Sequence, residues 1–135
     1  MNNGNIRYMY FGNKSLFRHT TMSVASGYGK VPRTGVITAA VELDGDSSDT
    51  GLVVNFGLAF CSPKDPFIKV KGRRIAEGRL RTRRGPQYFT VIDHREDVSV
   101  YDAVMESINE ILGEGNVPRW AKQFRCVSGG MLALV

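Results

Sequence analysis

Apolar residues come in two periods along this chain, and the change between them divides it. The first half reads as strands. Ile6–Phe11 (IRYMYF) is rich in β-formers, and 17–25 (FRHTTMSVA) alternates loosely. Val36–Leu43 (VITAAVEL) is a firmer strand. Residues 52–60 (LVVNFGLAF) are apolar enough for a central one. Polar and glycine-rich stretches separate them, Gly27-Tyr28-Gly29-Lys30-Val31-Pro32 and Asp44-Gly45-Asp46-Ser47-Ser48-Asp49. Four consecutive strands with short connections predict an antiparallel meander.

The period then becomes helical. Ser62-Pro63-Lys64-Asp65 carries an N-cap serine, a proline at the first helical position and an acid at N3, so a helix is expected over 63–83. Ile68, Gly72, Ile75, Ala76 and Leu80 share one arc of it, with Arg79 in the middle of that arc. Gly72 and Gly78 each cost about 1 kcal/mol in a helix interior relative to alanine. A glycine on the inner arc lets another backbone or a ligand come near. Residues 87–93 (QYFTVID) predict a further strand. A second helix should start at the Ser99 cap, bury Val100, Ala103, Val104, Ile108, Ile111 and Leu112, and stop at Gly113. Asp102, Glu106 and Glu110 fall on its outer face. A short basic and aromatic turn, Arg119 to Arg125, leads to an apolar tail, Met131 to Val135. That tail is expected to pack on the sheet or across a subunit interface.

The expected architecture is α+β: one domain over 1–135, an antiparallel sheet of five or six strands, and two main helices on one face. The 135 residues, 42% hydrophobic and 23% charged, suit one core and would starve two. No apolar run is long enough to span a membrane as a helix, and the N-terminus has no secretory pattern. Two cysteines make no disulfide framework, so a reduced, cytoplasmic setting is expected.

Charge changes the picture more than composition does. The net charge is +5, but from Lys64 to Arg84 nine basic residues face only Asp65 and Glu77. That segment is +7 and the other 114 residues are −2. Six of the nine are arginines, whose forked donors match phosphate. So local a field suits a nucleic acid, a nucleotide or an acidic partner; a solvated helix face would look the same.

No catalytic constellation is visible, and neither a cofactor nor a metal is expected. His19 and His94 lack metal-ligand spacing. Cys61 reads either as a nucleophile before a helix N-terminus or as a small core residue. Asp44, Asp46, Ser48 and Asp49 resemble a calcium loop, but Asn55 stands where the bidentate glutamate is needed. There is no phosphate-binding loop of the nucleotide-hydrolysing type. What remains is the binding of an anion. The candidate ligand-binding residues are Phe67, Arg73, Arg74, Arg79, Arg81, Arg119, Trp120, Phe124 and Arg125: cations for phosphate, aromatics for a base.

The stretch Val53 to Leu80, VVNFGLAFCSPKDPFIKVKGRRIAEGRL, resembles the phage anti-Thoeris sponge proteins. The likeness lies in an apolar strand ending in Phe-Cys-Ser-Pro-Lys-Asp and a helix reading Lys-x-Gly-Arg-x-Ile-Ala-x-Gly-Arg-Leu. It covers 28 of 135 residues. The resemblance implies a non-enzymatic protein that binds a cyclic ADP-ribose isomer and so keeps an immune effector inactive. It also implies homodimers, or hexamers that hold cyclic oligonucleotides at separate sites. The strand at 87–93 departs from a simple two-helix layout. Two other readings stay open: a phage single-stranded nucleic-acid-binding protein using the basic helix 63–84, and an inhibitor that docks its basic face on an acidic host protein.

Overall fold

A computed structural model describes residues 5–12, 35–44 and 51–135. Four antiparallel strands form the main sheet in the order β1 (Ile6–Phe11), β2 (Val36–Leu43), β3 (Leu52–Cys61), β4 (Tyr88–Asp93). Helix α1 (Lys69–Thr82) connects β3 to β4, and α2 (Val100–Glu114) follows. A short 3-10 helix (Arg119–Gln123) leads into a hairpin of β5 (Phe124–Val127) and β6 (Met131–Leu134). Gly12 fastens the hairpin to the end of β1: its N–H donates to Gly130 and its carbonyl accepts from Leu132. The α+β class holds. The expected strand at 17–25, with His19, lies outside the described residues, as do Gly27 to Pro32 and most of the 44–49 loop.

The two helices do not share a face. Val36 to Val41 and Val54 to Ala59 are buried at every position, so β2 and β3 are covered on both sides. The large side chains Ile37, Val41, Val54, Phe56 and Leu58 point one way and meet Val104, Ile108 and Leu112 of α2, together with the hairpin. The small ones, Ala40 and Ala59, point the other way and meet Ala76 and Leu80 of α1. Gly57 lies on that second face. A Cβ there would sit 2.5 Å from the Ala76 carbonyl oxygen and 2.6 Å from the Leu80 nitrogen, so α1 rests its backbone almost directly on β3. A sheet buried on both faces needs a layer on each, and one helix goes to each.

Helix α1 starts later than its sequence suggests. Ser62 to Asp65 form a turn instead, with Asp65 N–H bonded to the Ser62 carbonyl and Lys64 N–H to the Ser62 hydroxyl. Pro66 explains the delay. In a helix begun at Ser62 it would lack the donor that closes the first turn, its ring would meet the Ser62 carbonyl, and it biases Asp65 away from helical backbone. The helix begins after Ile68, which offers no side-chain cap. At the other end Arg83 takes the left-handed conformation, φ 55°, and its N–H returns to Leu80. Helix α2 is as expected at its start, where Ser99 accepts from Asp102 N–H at 3.0 Å. It runs past Gly113 and is capped at Gly115. Asn109 then bonds both ways to the Cys126 backbone, at 2.7 and 3.0 Å, and pins β5 to α2.

Candidate functional site

The inner rows of the sheet decide where space is left under α1. Tyr8, Ala40, Gly57 and Tyr88 are register partners, and over them the helix is seated closely. One row further along come Tyr10, Thr38 and Ala59, then Cys61. Here the helix has only just begun, and the 65–68 loop forms the roof. A pocket of about 380 Å³ opens between them. Its floor is Thr38, Ala59 and Cys61, its loop wall Asp65 to Ile68, and its helix wall Lys71, Gly72 and Ile75. Gly72 lets the helix come close over this floor, since a Cβ there would lie 2.9 Å from the Thr38 hydroxyl. Ile68 and Ile75, expected on the buried arc, stand half-exposed at this pocket, while Ala76 and Leu80 carry the burial.

Most of the helix cations are bound within the fold. Arg73 donates from Nε to the Tyr10 hydroxyl at 2.6 Å and lies over the Tyr8 ring, and Lys69 lies over the Tyr10 ring. Arg81 pairs with Glu77 at 2.7 Å, and Arg83 with Glu42 at 2.7 Å. Glu77 also accepts from the Tyr8 hydroxyl, and that bond, with Arg81, holds its carboxyl below the usual range and raises the Tyr8 phenol. The contacts to Tyr8 and Tyr10 fasten α1 to β1, and Arg83–Glu42 ties its end to β2. A charge in the middle of the inner arc calls for a partner, and Arg79 finds a neutral one: it donates from Nη1 to the Leu58 carbonyl at 2.7 Å, not to Glu106 or Glu110 of α2. Glu106 lies beyond the sheet and pairs with Arg95. The Leu58 carbonyl is a backbone acceptor at the end of the β3–β4 pairing, which begins only at Tyr88, so Arg79 satisfies a strand end.

The nine candidate residues therefore fall into two groups with the sheet between them. Phe67, Arg73, Arg74, Arg79 and Arg81 lie on the α1 side, and of these Phe67 lines the pocket, edge-on to Tyr10. Arg119, Trp120, Phe124 and Arg125 lie on the α2 side. Trp120 is wedged edge-on between Phe60 and Phe124 and against the Gly35 backbone, where a Cβ would come within 2.4 Å of its ring. Phe124 is buried. These two rings are core, and the exposed Arg119 and Arg125 have no aromatic platform beside them in Trp120 or Phe124. Thr38 and Lys71 were missed by sequence reasoning. The signal was there in part: a threonine in an otherwise apolar central strand, and a glycine one turn into a helix.

Cys61 is a pocket residue but a poor nucleophile. Its sulfur lies 3.7 to 3.9 Å from the carbonyl oxygens of Ser62, Asp65 and Pro66, acceptors that keep the proton on. Burial, then Asp65, pushes the thiol up, and the helix start that would have favoured a thiolate is eight residues on. Cys126 is buried and pushed up to about 12. Among the described residues no group of three or more His, Cys, Asp or Glu could hold a metal ion, and no helix is long and apolar enough to cross a membrane. No family model, no curated protein and no solved structure is found to match this chain.

Proposed function

We propose that the protein binds a small cyclic nucleotide in the pocket beside α1 and holds it uncleaved. The ligand is a cyclic ADP-ribose isomer, as the resemblance to phage anti-Thoeris sponge proteins implies, and removing it from solution blocks a host defence. The observation that carries this reading is the pocket itself. It is pre-formed, within the usual size of small-ligand sites, lined by apolar and polar surface in similar measure, and set in the most basic segment of the chain. Long-range attraction to an anion comes from that segment even where single cations are engaged within the fold. A sponge must hold its ligand with sites already organised, and Gly72 and the contacts fastening α1 to β1 supply that organisation. Self-association belongs to the same reading, with exposed Val70, Leu134 and Val135 as the apolar surface available for it.

Native mass spectrometry tests it. Incubation with cyclic ADP-ribose isomers and cyclic oligonucleotides should give an adduct whose ligand is recovered unchanged after denaturation, and the same spectrum counts subunits. No adduct with any of them refutes the reading.

A second reading has one observation in its favour. Arg74 and Arg81, two turns apart, and Arg84 beyond the helix end leave an exposed basic strip on the outer side of α1. Gly78 lies between them with nothing near it. That strip suits the backbone of a single strand. Binding of a short oligonucleotide that falls steeply with salt would favour it, and no binding at about 50 mM salt would end it.

A further inference from the structure

We propose that the pocket takes the planar base of the nucleotide, with the Thr38 hydroxyl bonded to its edge, and leaves the phosphates outside at the basic rim. This rests on the nucleotide reading above and assigns the two halves of the ligand to different places.

Thr38 is the first reason. It is 1% exposed, it lines the pocket, and none of the described residues hydrogen-bonds to its hydroxyl. A hydroxyl that lines a cavity and bonds to none of the described residues can meet a ligand's polar atom there. Gly72 lies close above it, where a Cβ would come within 2.9 Å of the oxygen, so any side chain at 72 would crowd the hydroxyl. A hydroxyl both donates and accepts, as suits the mixed edge of a base.

The second reason is charge. The lining contains one acid, Asp65, and one base, Lys71, and is otherwise largely apolar, with Ala59, Phe67 and Ile75 among its walls. A phosphate placed there would lose its hydration beside a carboxylate. A neutral ring would bury apolar faces and meet one hydroxyl. Outside, the loop and the first turn of α1 carry Lys64 and Lys69, both exposed, where phosphates keep their water and still gain from the field, and Lys71 stands at the pocket wall between. Size agrees, since about 380 Å³ is near the lower end of small-ligand sites and suits a base with part of its sugar rather than a whole dinucleotide.

The two cysteines make the test. Cys61 lines the pocket and Cys126 is buried, so a thiol reagent at mildly alkaline pH reads the pocket alone. Adenosine and cyclic ADP-ribose should both slow labelling of Cys61, and inorganic phosphate at the same concentration should not. Thr38→Val should weaken cyclic ADP-ribose binding about tenfold while leaving the melting temperature unchanged or higher, because a methyl replaces a hydroxyl that has no partner among the described residues. Thr38→Ser should bind nearly as the parent protein does. Protection by phosphate alone, undiminished affinity in Thr38→Val, or cyclic ADP-ribose binding without protection of Cys61 would each overturn the assignment and leave the binding function standing. A protein that binds no nucleotide at all would remove both.

Discussion

Gly57 offers the sharpest single perturbation of the layer that forms the pocket. Replacing it with alanine adds one carbon 2.5 Å from the Ala76 carbonyl oxygen, 2.6 Å from the Leu80 nitrogen and 3.1 Å from the Arg79 carbonyl carbon. These are backbone atoms of one helix and cannot rotate away. Ordinary contacts need roughly 3.4–4 Å, so α1 must lift by about 1 Å along its middle and loosen Ala76 and Leu80, both now buried. Overpacking of this kind costs about 1–3 kcal/mol, and the absence of a flexible neighbour puts this site at the upper end. With a melting shift of roughly 4 °C per kcal/mol for a domain of this size, Gly57→Ala should melt about 10 °C lower. The same chemical change at Gly78 meets nothing within 4 Å and lies on an exposed helical position. Gly78→Ala should raise stability by about 1 kcal/mol, or about 4 °C. Calorimetry on both variants gives the answer. If Gly57→Ala melted with the parent protein, α1 would not rest on β3 as described, and the pocket that depends on its position would go with it.

Other outcomes follow from the same contacts. Asn109→Ala removes both bonds to the Cys126 backbone and should cost about 2–3 kcal/mol in urea unfolding. Ser99→Ala removes only a cap on α2 and should cost about 1 kcal/mol. Glu77 is held below its usual 4.5, so the stability it contributes is complete above that value and is lost as pH falls through its lower, folded one. Asp93, held at about 2 chiefly by Arg95, acts in the same direction over a lower window. The urea midpoint should therefore drop between pH 5 and pH 2, and Glu77→Gln should make the upper part of that drop shallower. Arg79→Met should lower stability through the Leu58 carbonyl and leave cyclic ADP-ribose affinity within about twofold, whereas a large loss of binding would bring Arg79 back to the ligand.

The sequence by itself determined the elements. β-forming residues and short apolar runs located β1 to β4, the Ser99 cap and its apolar stripe located α2, and the uneven charge singled out α1 and its flanks. Local chemistry was misread at one point, where Pro66 outweighed the serine and proline before it. Only the tertiary structure decided which face each helix covers and what its cations meet. The apolar runs VITAAV and VNFGLA carried part of that answer, since strands buried at both parities need cover on both sides. They could not say which helix goes where; the small residues Ala40, Gly57 and Ala59 admit α1 closely, and the large ones on the reverse face meet α2. Trp120 and Arg79 looked like ligand contacts because a sequence shows a side chain's chemistry and not its neighbour. One neighbour is the Gly35 backbone and the other the Leu58 carbonyl. Thr38 stayed hidden for the same reason, because a pocket is a property of distances between residues far apart in the chain, and no local pattern records it.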